Sequence, residues 1–160
     1  MNALTRTVTS FDAPFHLTFS GTEIANWTRM HLGTANSFGG RAGSGTIDTV
    51  GHLMAIAACL CEPVEIDPFW CRDGGPLPFL DISVEDASPG DILLFDMDGA
   101  PGWTDGWRWS AGIMTRGVNI DSDDAQLCHV WHGHACALSW LKPWWRLYLT
   151  GACRFSRKAG

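Results

Sequence analysis

Residues 45–60, GTIDTVGHLMAIAACL, carry the reading on which the fold depends. A Gly/Ser-rich turn leads to Asp48, which can cap a helix, and Leu53, Met54, Ile56, Ala57 and Leu60 follow at helical spacing. The spacing predicts a buried helix from Asp48 to Cys61, stopped by Pro63. Thr49 stands in its first turn, where the helix end favours a nucleophilic anion. A threonine hydroxyl without an adjacent base supplies none.

Working outward toward the N-terminus, SFGGRAGSG (37–45) reads as a flexible loop. TEIANWTRMHLG (22–33) reads as a short amphipathic helix, capped by Thr22, with Ile24, Trp27 and Met30 inward and Gly33 at its end. Residues 1–21 alternate Thr, Val, Phe and Leu around Pro14 and suit an extended arm or edge strand. On the other side, a loop rich in Pro, Gly and Asp runs to Leu80, and the pattern then changes to strands. SPGDILLF (88–95), WSAGIMTRG (109–117), QLCHVWHGHACALSWL (126–141) and WRLYLTGACRF (145–155) are the segments. Helices first and an antiparallel sheet afterwards predict an α+β domain. The expected organisation is an arm over 1–21 and a single domain over 22–160.

At 160 residues, 46% of them hydrophobic, the chain is long enough for one real core. A net charge of -6 without a Lys/Arg cluster argues against a nucleic-acid partner. No stretch approaches the ~20 apolar residues that span a bilayer. MNALTRTVTSFDAPF lacks the apolar region of a secretory signal, so assembly in a cytoplasm is expected. The six cysteines (59, 61, 71, 128, 136, 153) are expected to be reduced thiols, with Cys59 and Cys61 as small hydrophobes of the helix. Tryptophan is frequent, and Trp103, Trp107 and Trp109 crowd one turn. Trp103 and Trp107, with Phe15 and Phe19 of the arm, are the candidate partner-binding residues. The competing use of these rings is packing against the chain's own core.

Several motifs resemble the NlpC/P60 cysteine peptidases, and within them the cell-wall peptidases encoded among tail genes of phages and gene-transfer agents. They are Gly33 and Thr34, the D-x-x-G of Asp48 to Gly51, SPGDILLF, AGI at 111–113, HVWHG at 129–133 and the ending LKPWWRLYLTGACRF. The resemblance covers residues 22–155. It implies a papain-like fold in which a nucleophile at a helix N-terminus packs on an antiparallel sheet that supplies the base. The family's nucleophilic cysteine falls on Thr49, its base histidine on Ser110, and the tyrosine of its first helix on Asn36. The histidine that orients the base falls on His129 and is kept. Losing such a unit removes a rate factor of roughly 10⁶.

No catalytic residue is therefore expected. The chain is expected to be a non-enzymatic component of a phage-like tail tip, located in the virion, with hub, distal tail and fibre proteins as partners and peptidoglycan as a further candidate ligand. A peptidoglycan hydrolase working through a rearranged site is the alternative. CHVWHGHAC (128–136) has thiol and imidazole donors but no CxxC or HExxH spacing, so no metal or other cofactor is expected. His52, four residues beyond Asp48, is read as a buried or cleft-lining side chain.

Overall fold

The computed structural model describes residues 5–9, 16–60, 63–103, 106–131, 133–141 and 144–157. Ten strands and three helices run in the order β1 (Thr5–Thr9), β2 (His16–Ser20), α1 (Gly21–Arg29), β3 (Ala35–Asn36), β4 (Thr46–Ile47), α2 (Thr49–Cys59), α3 (Trp70–Asp73) and β5 (Phe79–Ile82). They continue with β6 (Ile92–Asp96), β7 (Trp109–Arg116), β8 (Gln126–His129), β9 (Ala137–Trp140) and β10 (Leu149–Arg157). Six strands form one antiparallel sheet in the order β5-β10-β6-β7-β8-β9. The helices precede it and cover one face, as the α+β reading expects.

Helix α2 begins as its sequence dictates. Asp48 is the N-cap, its Oδ1 accepting from the Gly51 amide at 2.7 Å. Leu53, Ile56 and Ala57 pack with Ile24 of α1 and Trp70 of α3 onto Ile92, Ala111 and Ile113 of the sheet. Gly51 is required because a Cβ there would collide with the Gly40 carbonyl. The opposite face of the sheet packs Leu93, Phe95, Met114 and Leu127 under Trp145, which opens a 3-10 turn over Trp145–Tyr148.

Several local expectations need correction. In the arm, β1 and β2 pair with each other, Thr5 opposite Ser20, and among the described residues neither joins the large sheet. Helix α1 starts earlier and ends sooner than expected. Ser20 and Glu23 form a reciprocal capping box that outcompetes Thr22 as the cap, and Met30 lies 79% exposed beyond the last turn. The loop 37–45 is held by Asp48, which accepts from the Gly39 amide at 2.8 Å and pairs with Arg41 at 3.0 Å. The loop before Leu80 contains α3, and the segment from 145 turns once before entering β10. Cys59 is exposed at the end of α2, not packed in the core. Cys61, Phe15 and His132 lie outside the described residues or their described side chains.

Candidate functional site

The cleft lies where the first turn of α2 meets the start of β7, and Thr49, Ser110 and Asn36 all line it. Its volume is about 30 Å³. Thr49 is buried, and its Oγ1 donates to the Val130 carbonyl at 2.7 Å. Ser110 is 2% exposed on β7. Asn36 pins the rim, donating to the Ile47 carbonyl at 3.2 Å and accepting from the Gly133 amide at 2.9 Å.

His129 stands on the neighbouring strand β8, directly opposite Gly112. Ser110 is two residues from Gly112, so alternation puts Ser110 and His129 on the same face of the sheet. The His129 Nε2 shares a 2.7 Å hydrogen bond with the Ser139 hydroxyl, and its ring packs against Trp145 with centroids 4.7 Å apart. Its buried Nδ1 has no hydrogen-bond partner among the described residues. Burial pushes this imidazole down to about 4, and the neighbouring His134 adds to the effect. His129 is thus a neutral ring at physiological pH, oriented by Ser139.

One cleft residue escapes the sequence reading. Cys71 on α3 also lines the cleft, together with Thr49. Burial pushes its thiol up to about 12; the Thr49 hydroxyl opposes that and the Asp48 carboxylate reinforces it. Such a thiol is protonated at neutral pH and is not a nucleophile. Its signal in the sequence was a lone Cys in an irregular loop, which shows nothing until α3 turns it toward Thr49.

Of the candidate partner-binding rings, Trp103, Trp107 and Phe19 are engaged within the chain. Trp103 stacks on Trp131 at 4.9 Å and donates its Nε1–H to the Trp107 carbonyl at 2.6 Å. Trp107 packs against Phe38 at 5.3 Å, and Phe19 meets Trp27 edge-on at 5.0 Å. Trp103 and Trp107 wall the cleft, which explains its small size.

The sheet order, the helix packed on it by its N-terminal turn and the cleft at that turn together make a recognisable architecture. A protein of Staphylococcus aureus subsp. aureus Mu50, described as similar to a lipoprotein of the NLP/P60 family, superposes with a TM-score of 0.59 and 18% identity over 86% of this chain. The NlpC/p60 domain of the peptidoglycan hydrolase SagA superposes with a TM-score of 0.53 and 19% identity over 84% of this chain. This chain has the NlpC/P60 fold. The match spans 98% of the SagA domain but only 42% of the S. aureus chain, so this chain is less than half as extensive as that protein. No protein-family model and no curated protein matches the sequence. On the NlpC/P60 fold, the α+β papain-like expectation stands.

A second cluster lies behind the cleft. His52, Cys128 and Cys136 are buried, and their potential ligand atoms lie within 4.8 Å of one another. The two thiols share a hydrogen bond at 3.5 Å, which pushes the Cys128 thiol up and pulls that of Cys136 down. Burial takes the His52 imidazole down to about 3; His31 lowers it further, and hydrogen bonding to the Thr28 backbone opposes this only in part. None of the three lines the cleft.

Proposed function

We propose that this chain is a non-catalytic module with the NlpC/P60 fold, serving as a structural component of a phage or phage-like tail tip and docking to hub and distal tail proteins. The observation that carries the non-catalytic reading is the Thr49 hydroxyl, whose proton goes to the Val130 carbonyl in a cleft that no described imidazole lines. A hydroxyl turns nucleophilic only when a base takes that proton. His129, the residue matching the family's orienting histidine, has an Nδ1 without a hydrogen-bond partner among the described residues, and Ser110 offers no ring to orient. The cleft is narrowed by Trp103 and Trp107, which wall it.

The tail-tip half rests on the resemblance of the ending LKPWWRLYLTGACRF to the phage branch. On this reading the protein belongs to the virion, beside tail proteins and close to the peptidoglycan that a tail must cross. Hydrolysis of peptidoglycan is the second reading, favoured by the likeness to the SagA domain. It needs Thr49 or Cys71 to be activated, and among the described residues no imidazole or carboxylate is hydrogen-bonded to either.

The test is release of soluble fragments from purified peptidoglycan. The unmodified protein is expected to release none, Thr49→Ala to behave identically, and Thr49→Cys alone to gain nothing because Ser110 is still no base. Robust release that disappears in Thr49→Ala or Cys71→Ala would overturn the non-catalytic reading. Docking is tested separately, by whether the chain is found in purified particles.

A further inference from the structure

We propose that His52, Cys128 and Cys136 bind one zinc ion, and that the ion fastens α2 to β8 and to the turn entering β9. The proposal is independent of whether the cleft is catalytic. Its ligands come from three places in the chain: the second turn of α2, the middle of β8 and the residue before β9.

The donor set is the first argument. Two thiolates and an imidazole suit zinc, and all three side chains are at most 2% exposed. Spacing is the second. The sulfurs stand 3.5 Å apart, too far for a disulfide bond of ~2.05 Å. Two thiolates bound tetrahedrally at ~2.3 Å from one zinc stand about 3.8 Å apart. The third is an orphaned atom: the His52 Nε2 is buried without a hydrogen-bond partner among the described residues, which costs free energy unless something occupies it. Thr28, whose carbonyl is 3.8 Å from the Cys128 Sγ, also has a buried, unpartnered Oγ1.

The surroundings are built rather than accidental. Cys136 is clamped through its backbone, donating to the Thr34 carbonyl and accepting from the Gly33 amide, both at 2.9 Å. His31, on the turn that follows α1, stands edge-on to His52 with ring centroids 5.4 Å apart and is only partly buried. Its ligand atoms lie outside the 4.8 Å grouping of the other three, so the fourth position on the ion is left to solvent. Binding releases the two thiol protons to solvent and leaves Zn²⁺ with two thiolates, a neutral group suited to a buried position.

The full-length protein, purified without chelators, is expected to carry one zinc per chain by native mass spectrometry and elemental analysis. Cobalt(II) exchanged into the site should give thiolate-to-metal charge-transfer absorption and the intense visible bands of tetrahedral coordination. Cys128→Ser, Cys136→Ser and His52→Ala should each weaken zinc binding by more than the roughly 10–100-fold typical of losing an outer-shell partner. Cys59→Ser and His134→Ala should leave it unchanged. Should the site variants fail to fold, the cobalt spectrum and thiol count of the unmodified chain decide the matter. A chain that neither carries zinc nor takes it up, a Cys128–Cys136 disulfide, or zinc that depends on His134 instead of His52 would each overturn the assignment.

Discussion

At the scale of single residues, the cleft contains the right atoms in the wrong protonation states. Thr49 is at the helix N-terminus that would stabilise an anion, yet its proton is held by a carbonyl; Cys71 is beside it, yet burial keeps the thiol protonated. With its thiol pushed up to about 12, Cys71 carries at pH 7 roughly three-thousandfold less thiolate than an ordinary thiol near 8.5. Iodoacetamide at neutral pH is therefore expected to alkylate exposed Cys59 and spare Cys71 in the folded protein, with Cys71 gaining rate as pH rises toward 12. Peptide mapping by mass spectrometry reads this directly, and equal labelling of the two would show that Cys71 is activated. Thr49, Ser110 and Asn36 were legible because D-x-x-G, AGI and the Gly-Thr pair fix their positions along the chain. Cys71 was not, because a four-residue helix within a Pro/Gly/Asp loop leaves no periodicity to read. Nor was the His52, Cys128 and Cys136 cluster: grouping donors by closeness in sequence joins Cys128 to His132 and His134, whereas packing brings the imidazole from a helix some eighty residues away.

Among the elements, the P-G-D motif does more than open a strand. Asp91 is fully buried just before β6, and Arg154 of β10 reaches it with two hydrogen bonds, Nε to Oδ1 at 3.1 Å and Nη2 to Oδ2 at 2.9 Å. The same carboxylate accepts from the Ser88 amide at 3.1 Å. Gly90, at φ 93°, lets the turn pass against Gly21 at the head of α1, where a Cβ would stand 2.8 Å from the Gly21 Cα. One short motif thereby joins the first helix, β6 and the last strand. Asp91 is fully buried while Arg154 is partly exposed, so Asp91→Ala, which removes the charged hydrogen bonds but leaves the guanidinium within reach of water, should destabilise the protein by about 1–3 kcal/mol in urea unfolding. A loss under 1 kcal/mol would mean the pair is solvated. The sequence announced this turn through Pro89 and Gly90 but not its partner, since nothing local ties residue 91 to residue 154. The same limit explains α1, whose periodicity located the helix while the Ser20–Glu23 box, a matter of side-chain geometry, decided where it begins.

For the whole molecule, helices cover one face of the large sheet and the Trp145 turn the other, and among the described residues the strands of the N-terminal hairpin join neither edge. A two-stranded hairpin is marginal in water by itself, and this one pairs with no strand of the six-stranded sheet. Its described anchor to the body is Phe19, which packs on Trp27 and the helix-side core. Trp103 and Trp107 are spent on the cleft, so the hairpin is a better candidate than the tryptophan loop for meeting another protein, by adding its edge to a neighbour's sheet. Deleting residues 2–19 leaves Ser20 to cap α1 and removes the Phe19 contact, a loss of about 1–3 kcal/mol. The truncated chain is expected to stay soluble, to melt cooperatively at a lower temperature, and to stop co-purifying with tail-tip proteins. If it unfolds outright, the hairpin belongs to the core; if it melts as expected but still enters particles, docking uses another surface. Calorimetry distinguishes the first outcome and particle composition the second, so a failure of the docking idea is separable from a failure of the fold.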